Sequence, residues 1–127
     1  MVARATFAAL AVALFLAGTP ILAAENRCGW YVNPTPGNLI LIDRDADWWI
    51  TTQLEAGGPN AAGADENLPD FDPKQYVKTQ PNGYGYGCAC LSVETDNSAQ
   101  RITRVYSGRI LPLARCRGDK ALRPVPR

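Results

Sequence analysis

The positions of four cysteines limit what this chain can fold into more than any other feature of its sequence. Cys88 and Cys90 are one residue apart, whereas Cys28 and Cys116 sit near the two ends of the stretch that follows an export-type leader. In an oxidising compartment such residues pair, and a small domain gains from the pairing because its core is modest. A bridge between Cys88 and Cys90 would close a strained ring, since alternate residues of a strand project from the same face. Two long-range arrangements therefore stay open. Cys28 with Cys88 and Cys90 with Cys116 is preferred; Cys28 with Cys90 and Cys88 with Cys116 is the other.

Metal chemistry fits these residues poorly. A four-thiolate zinc site shows two close pairs of the C-x-x-C kind, and here only one pair is close, with the wrong spacing. The chain has no histidine, and its one methionine is Met1. No metal or other cofactor is expected. A redox-active Cys-x-Cys pair at Cys88 and Cys90 is kept as the alternative to structural bridges.

The leader comprises residues 1–24. Arg4 precedes an apolar stretch from Ala5 to Gly18, a break at Thr19 and Pro20, and small residues at Ala23 and Ala24. This is the pattern of a secretory signal peptide, cut after Ala24 or Ala23. The apolar run to Leu16 falls short of the roughly 20 residues a spanning helix needs, so no stable membrane insertion is expected. Glu25, Asn26 and Arg27 separate the cut from Cys28, which speaks against lipid attachment there. The expected product is periplasmic or secreted, with a single domain over residues 25–116 and a flexible basic tail over residues 117–127.

Charge is split along the mature chain. From Glu25 to Asp72 the acids heavily outnumber Arg27 and Arg44, and from Pro73 onward the bases outnumber Glu94, Asp96 and Asp119. Internal pairing of the two halves is the simpler expectation; a basic face running from Arg101 to Arg127 is the other. A formal net charge of +1 and the lack of any recognition motif argue against nucleic acid.

The apolar pattern predicts a mainly β fold: a small antiparallel sheet or partly open barrel of about five strands with one short helix, after the signal helix. Cys28 to Asn33 reads as a strand ended by Pro34 and Pro36. Asn38 to Asp43 carries Leu39, Ile40, Leu41 and Ile42, apolar on both faces, as a covered central strand would. Asp47 to Leu54 alternates, with a hairpin turn at Asp43 to Ala46 before it. Glu55 to Asp70 is rich in Gly, Ala, Asn and Pro and reads as a mobile surface loop. Asp72-Pro73 predicts a helix start with about two turns to Val77. Tyr84 to Thr95 is a long strand whose Gly85, Gly87 and Ala89 leave room for Trp30 or Trp48. A turn at Asp96 to Gln100 leads to a last strand, Arg101 to Ile110. The odd spacing of Ile102 and Val105 predicts a bulge in it.

No catalytic residue is assigned. Without histidine the usual base of hydrolases is missing. Asp43, Asp45 and Asp47 resemble the start of a calcium loop, but Trp48 and Leu54 stand where such a loop needs glycine and glutamate. Arg117-Gly118-Asp119 spells an adhesion tripeptide, a match short enough to arise by chance. Tyr31, Trp49, Tyr84 and Tyr86 form a possible binding surface for sugar or peptide, with packing as the plainer account.

Several blocks carry a resemblance. Arg27-Cys28-Gly29-Trp30, Asn33-Pro34-Thr35-Pro36, Asp43-x-Asp45 before Trp48, Tyr84-Gly85-Tyr86-Gly87-Cys88-Ala89-Cys90-Leu91, and Leu111-Pro112-Leu113 with Cys116-Arg117 resemble a small exported bacterial family known as a domain of unknown function of the DUF4087 type. The departure is Ala46, where the resemblance implies glycine. The likeness implies bacterial export and the fold but carries no mechanism. The functional expectation is a monomeric, non-catalytic binding module that meets an envelope protein or glycan; the alternative is a thiol-based redox protein using Cys88 and Cys90.

Overall fold

The computed structural model describes residues 24–53 and 58–125, with residues 2, 3, 9 and 11–13 of the leader. The predicted signal helix therefore lies largely outside the described residues. Six strands form: β1 (Glu25–Thr35), β2 (Asn38–Ile42), β3 (Asp47–Thr51), β4 (Val77–Lys78), β5 (Gly85–Asp96) and β6 (Arg101–Leu111). Two short helices accompany them, α1 (Ala64–Asn67) and α2 (Leu113–Arg117). The sheet is mixed, in the order β1-β2-β3-β6-β5-β4, and β1 also pairs with β5. The pairings thus run in a ring that is only partly closed, short of a barrel.

The incomplete join is between β3 and β6, which meet in parallel with Trp49 opposite Arg101. The segment after β3 fills this seam. Ala61 N donates to the Ile50 carbonyl (2.9 Å), Ala62 N to that of Thr103 (2.9 Å), and Val105 N to that of Ala62 (2.8 Å). Composition predicts a mobile surface loop over Glu55 to Asp70, and for the described part the structure corrects this. Ala61 and Ala64 are each only 6% exposed. Small side chains signal a loop in sequence, yet here they are what lets a backbone lie in the seam. Gly63 adopts φ 75°, and a Cβ there would meet the Val105 carbonyl.

Strand alternation sorts the apolar residues into two layers. Inside the curl lie Tyr31, Leu41, Trp48, Ile50, Ala89, Leu91, Val93, Ile102 and Val105. On the outer face lie Trp30, Val32, Ile42, Cys88, Cys90 and Leu111, covered by Leu113 and Cys116 of α2. As its pattern predicts, β2 contributes to both layers, through Leu41 inside and Ile42 outside. Each fully buried aliphatic side chain contributes about 1.5–3 kcal/mol relative to an exposed one.

The antiparallel register of β1 on β5 sets Cys28 opposite Cys90 and Trp30 opposite Cys88. The bridges are Cys28–Cys90 and Cys88–Cys116. The preferred pairing is thereby corrected: Cys90 faces its partner directly across the ladder, which leaves Cys88 to hold α2 against the outer face.

Other expectations resolve locally. Two register shifts in the β5–β6 ladder, one between Glu94 and Thr95, bring Ile102 and Val105 both into the core, the bulging their spacing predicts. The helix expected through Val77 is a single 3-10 turn, Pro73–Gln75, capped by Asp72 Oδ1 accepting from Lys74 N (2.9 Å). β4 then runs beside β5, and a Cβ at Gly85 would collide with the Val77 carbonyl, while one at Gly87 would touch the Phe71 ring. The room left by these glycines is filled by β4 and Phe71, where a tryptophan is expected from sequence. Beyond Cys116, where composition predicts a frayed tail, Leu122 and Val125 pack on the outer layer and Arg123 pairs with Asp47.

Candidate functional site

A cavity of about 690 Å³ opens where β1, β2 and β3 end beside the segment that follows β3. Alternation along β1 turns Tyr31 inward, and its ring stacks on Phe71 with centroids 4.6 Å apart and planes 20° apart. Phe71 in turn meets Tyr76 at 4.9 Å, and the Tyr76 hydroxyl donates to the Gly83 carbonyl at 2.8 Å. Tyr31 and Phe71 form one wall, and Tyr76 packs against Phe71.

The rim is polar and internally braced. Thr52 N donates to Asn60 Oδ1 (3.1 Å), Thr51 Oγ1 to the Gly37 carbonyl (2.8 Å), and Gln53 N to Asn38 Oδ1 (2.8 Å). Asp65 and Asp70 are the charged residues among the described lining, which includes no lysine or arginine. Tyr31 is 1% exposed. Its hydroxyl makes no hydrogen bond with any of the described residues and is not fully enclosed, so it meets the space of the cavity. Burial raises its pKa, and the negative charge of Asp70 raises it further, so the phenol keeps its proton.

A second polar cluster lies at the β2–β3 hairpin. Asp43 is 2% exposed and is the buried charged residue of the core. Its Oδ1 accepts from Asp45 N (2.8 Å), Ala46 N (3.0 Å) and the Trp48 indole Nε1 (2.9 Å), and its Oδ2 accepts from Arg27 Nη1 (2.8 Å). The Arg27 guanidinium also lies 4.2 Å from the Trp48 ring centroid and pairs with Glu25 and Asp45. Burial by itself would raise the Asp43 pKa; the bond from Arg27, then those from Ala46, Asp45 and Trp48, outweigh it and hold the carboxyl below its ordinary value. The hairpin is built on the Asp43 side chain, which is why Ala46 serves where the family likeness implies glycine. Among the described residues only Gln100 is a non-glycine with positive φ.

The family model for a protein of unknown function (DUF4087) matches residues 22–123. The chain belongs to this family. No curated protein and no solved structure matches it. The Gly-Tyr-Gly-Cys-Ala-Cys block that carries the likeness is the first half of β5 in this family member. It supplies the glycines beside β4 and Phe71 and one cysteine of each bridge, Cys88 and Cys90.

The four aromatic residues singled out in the sequence do not converge on one surface. Tyr31 is in the inner layer at the cavity, whereas Tyr86 packs outside against Trp30, edge to face at 5.2 Å. Trp49 lies at the β3–β6 join, and Tyr84 precedes β5, its carbonyl accepting from Thr79 N at 2.8 Å. The three hairpin aspartates are likewise engaged: Asp43 and Asp45 by Arg27, and Asp47 by Arg123. That last pair joins the acidic half of the chain to the basic half, while Arg27 and Arg104 pair within their own halves. Gly118 of the adhesion-like tripeptide is the C-cap of α2. Sequence reasoning missed Phe71, Asn60 and Asp70. One signal was present: Phe71 is the sole aromatic residue between Trp49 and Tyr76.

Proposed function

We propose that this chain is a monomeric, non-catalytic binding module of the bacterial cell envelope whose cavity beside Tyr31 takes a neutral glycan. The observation that carries this is the Tyr31 hydroxyl, which opens onto a 690 Å³ cavity and has no hydrogen-bond partner among the described residues. A hydroxyl held open to the cavity at a fixed ring can exchange water for a ligand hydroxyl. Carboxylates without cations in the described lining disfavour an anionic ligand. Amides and hydroxyls beside a fixed aromatic wall suit a sugar's alternating polar and apolar faces.

A periplasmic or secreted location is supported by the two bridges, which persist in oxidising compartments, and by the leader pattern. Among the described residues no helix is long and apolar enough to cross a membrane. The redox alternative draws little support, because Cys88 and Cys90 belong to different bridges.

Calorimetric titration of the mature domain with neutral and acidic oligosaccharides tests the proposal. A neutral member should bind. Tyr31→Phe should weaken that binding about three- to tenfold while changing unfolding stability by less than ~0.5 kcal/mol, because the hydroxyl has no protein partner to lose. Absence of binding by every neutral saccharide at millimolar concentration would reject it, as would a Tyr31→Phe variant that loses stability and keeps its affinity.

A further inference from the structure

The two bridges differ in how they meet solvent. Cys88 and Cys116 are 1% and 4% exposed, packed between β5 and α2. Cys90 is 5% exposed, but its partner Cys28 is an exposed residue. An opening of about 360 Å³, lined by Glu25, Asn26, Arg27, Asp43 and Asp45 among others, leads to Cys28. Cys28 also lies in the part of β1 that precedes its pairing with β2, which begins at Trp30, so this stretch is held in the sheet by β5 alone.

We propose that Cys28–Cys90 is a thiol–disulfide exchange site, opened in the folded protein by an external dithiol that attacks the Cys28 sulfur, while Cys88–Cys116 stays closed. A thiolate of the dithiol forms a new S–S bond to Cys28 Sγ; the Cys28–Cys90 bond breaks, and its electron pair leaves on Cys90 Sγ. The second thiolate of the dithiol then attacks its own sulfur in the mixed disulfide and releases Cys28. The dithiol is oxidised to a disulfide, the bridge is reduced by two electrons, and the two protons given up by the dithiol pass to Cys28 and Cys90. Exchange depends on access to the attacked sulfur and on stabilisation of the leaving thiolate. Access favours Cys28. The surroundings favour Cys90 as the leaving group: Arg109 stands opposite it on β6, and Ser92 and Ser107 line the small opening shared with it. Arg115 lines a second small cavity that reaches both bridges, together with Asp119.

Two measurements on the intact mature protein, under native conditions, test the assignment. In the first, brief exposure to dithiothreitol is quenched by alkylation and read by tandem mass spectrometry that fragments between Cys88 and Cys90. Cys28 and Cys90 should be labelled at least about tenfold faster than Cys88 and Cys116. In the second, glutathione replaces the dithiol, and the first adduct should sit on Cys28 with Cys90 as a free thiol. Labelling of all four cysteines together, earlier labelling of Cys88 and Cys116, or an adduct on Cys90 would overturn the proposal.

Discussion

Replacing Asp43 with alanine is expected to lower the unfolding free energy of the domain by about 3–5 kcal/mol, the range for removing one partner of a buried charged pair. The loss has named components. Arg27 would lose its most buried carboxylate, and the backbone N–H groups of Asp45 and Ala46 and the indole N–H of Trp48 would lose their shared acceptor. Asp43→Asn keeps an oxygen for those three donors and should cost less than alanine. Small domains have total stabilities of about 5–15 kcal/mol, so the loss removes a large share of the total and brings a domain at the low end of that range close to unfolding at room temperature. Urea unfolding followed by tryptophan fluorescence measures both values, and a loss under ~1 kcal/mol for alanine would contradict this account. The same carboxyl sets a pH dependence. Its folded-state pKa is depressed, so its contribution is fully present above the unfolded-state value near 3.8 and is lost as pH falls through the lower folded value. The Asp43→Asn variant should lack this part of the acid transition.

Deleting either bridge should be comparably severe. Cys28–Cys90 spans 62 residues and Cys88–Cys116 spans 28. Chain entropy alone assigns them about 4 and about 3.5 kcal/mol, which for a domain near this size corresponds to a fall of roughly 15 °C or more in melting temperature. The structure alters the ranking. Cys88–Cys116 also holds α2 over the outer layer, so the Cys88→Ser/Cys116→Ser pair frees Leu113 and uncovers Trp30 and Leu111. That double variant should therefore lose at least as much stability as Cys28→Ser/Cys90→Ser, despite its shorter loop. Melting curves of the two double variants give the comparison, and a loss below ~1 kcal/mol for the Cys88 and Cys116 pair would remove α2 from the structural role given to it here.

Strand positions were legible because period-two alternation and proline or glycine punctuation act locally. The bulged spacing of Ile102 and Val105, the two-faced burial of β2 and the Asp72-Pro73 cap all follow from neighbouring residues. What escaped depends on register and on contacts far apart in sequence. Nothing local states that Cys28 faces Cys90, because that follows from how β1 slides against β5. The Gly- and Ala-rich stretch after β3 looks loop-like in composition, and only the gap between β3 and β6 makes it part of the core. Asp43 looks like an ordinary turn carboxylate until Arg27, 16 residues earlier, is folded over it. The cavity was half legible: Tyr31 stood out as an aromatic, but its partner Phe71 sits at the end of a stretch that composition marks as unstructured. Tyr84 and Tyr86 were grouped with Tyr31 on aromatic character, and strand parity then placed Tyr86 on the opposite face.

The claim on which the functional account rests is that a ligand occupies the space beside Tyr31. Amide and aromatic chemical-shift mapping of the mature domain, titrated with the neutral oligosaccharide that binds most tightly, tests it directly. The account predicts that the largest shifts fall on Tyr31, Leu39, Asn60 and Phe71, with Trp30, Tyr86 and the arginines of β6 and α2 unmoved. Shifts centred on those outer-face aromatics or arginines, with Tyr31 and Phe71 unchanged, would contradict it.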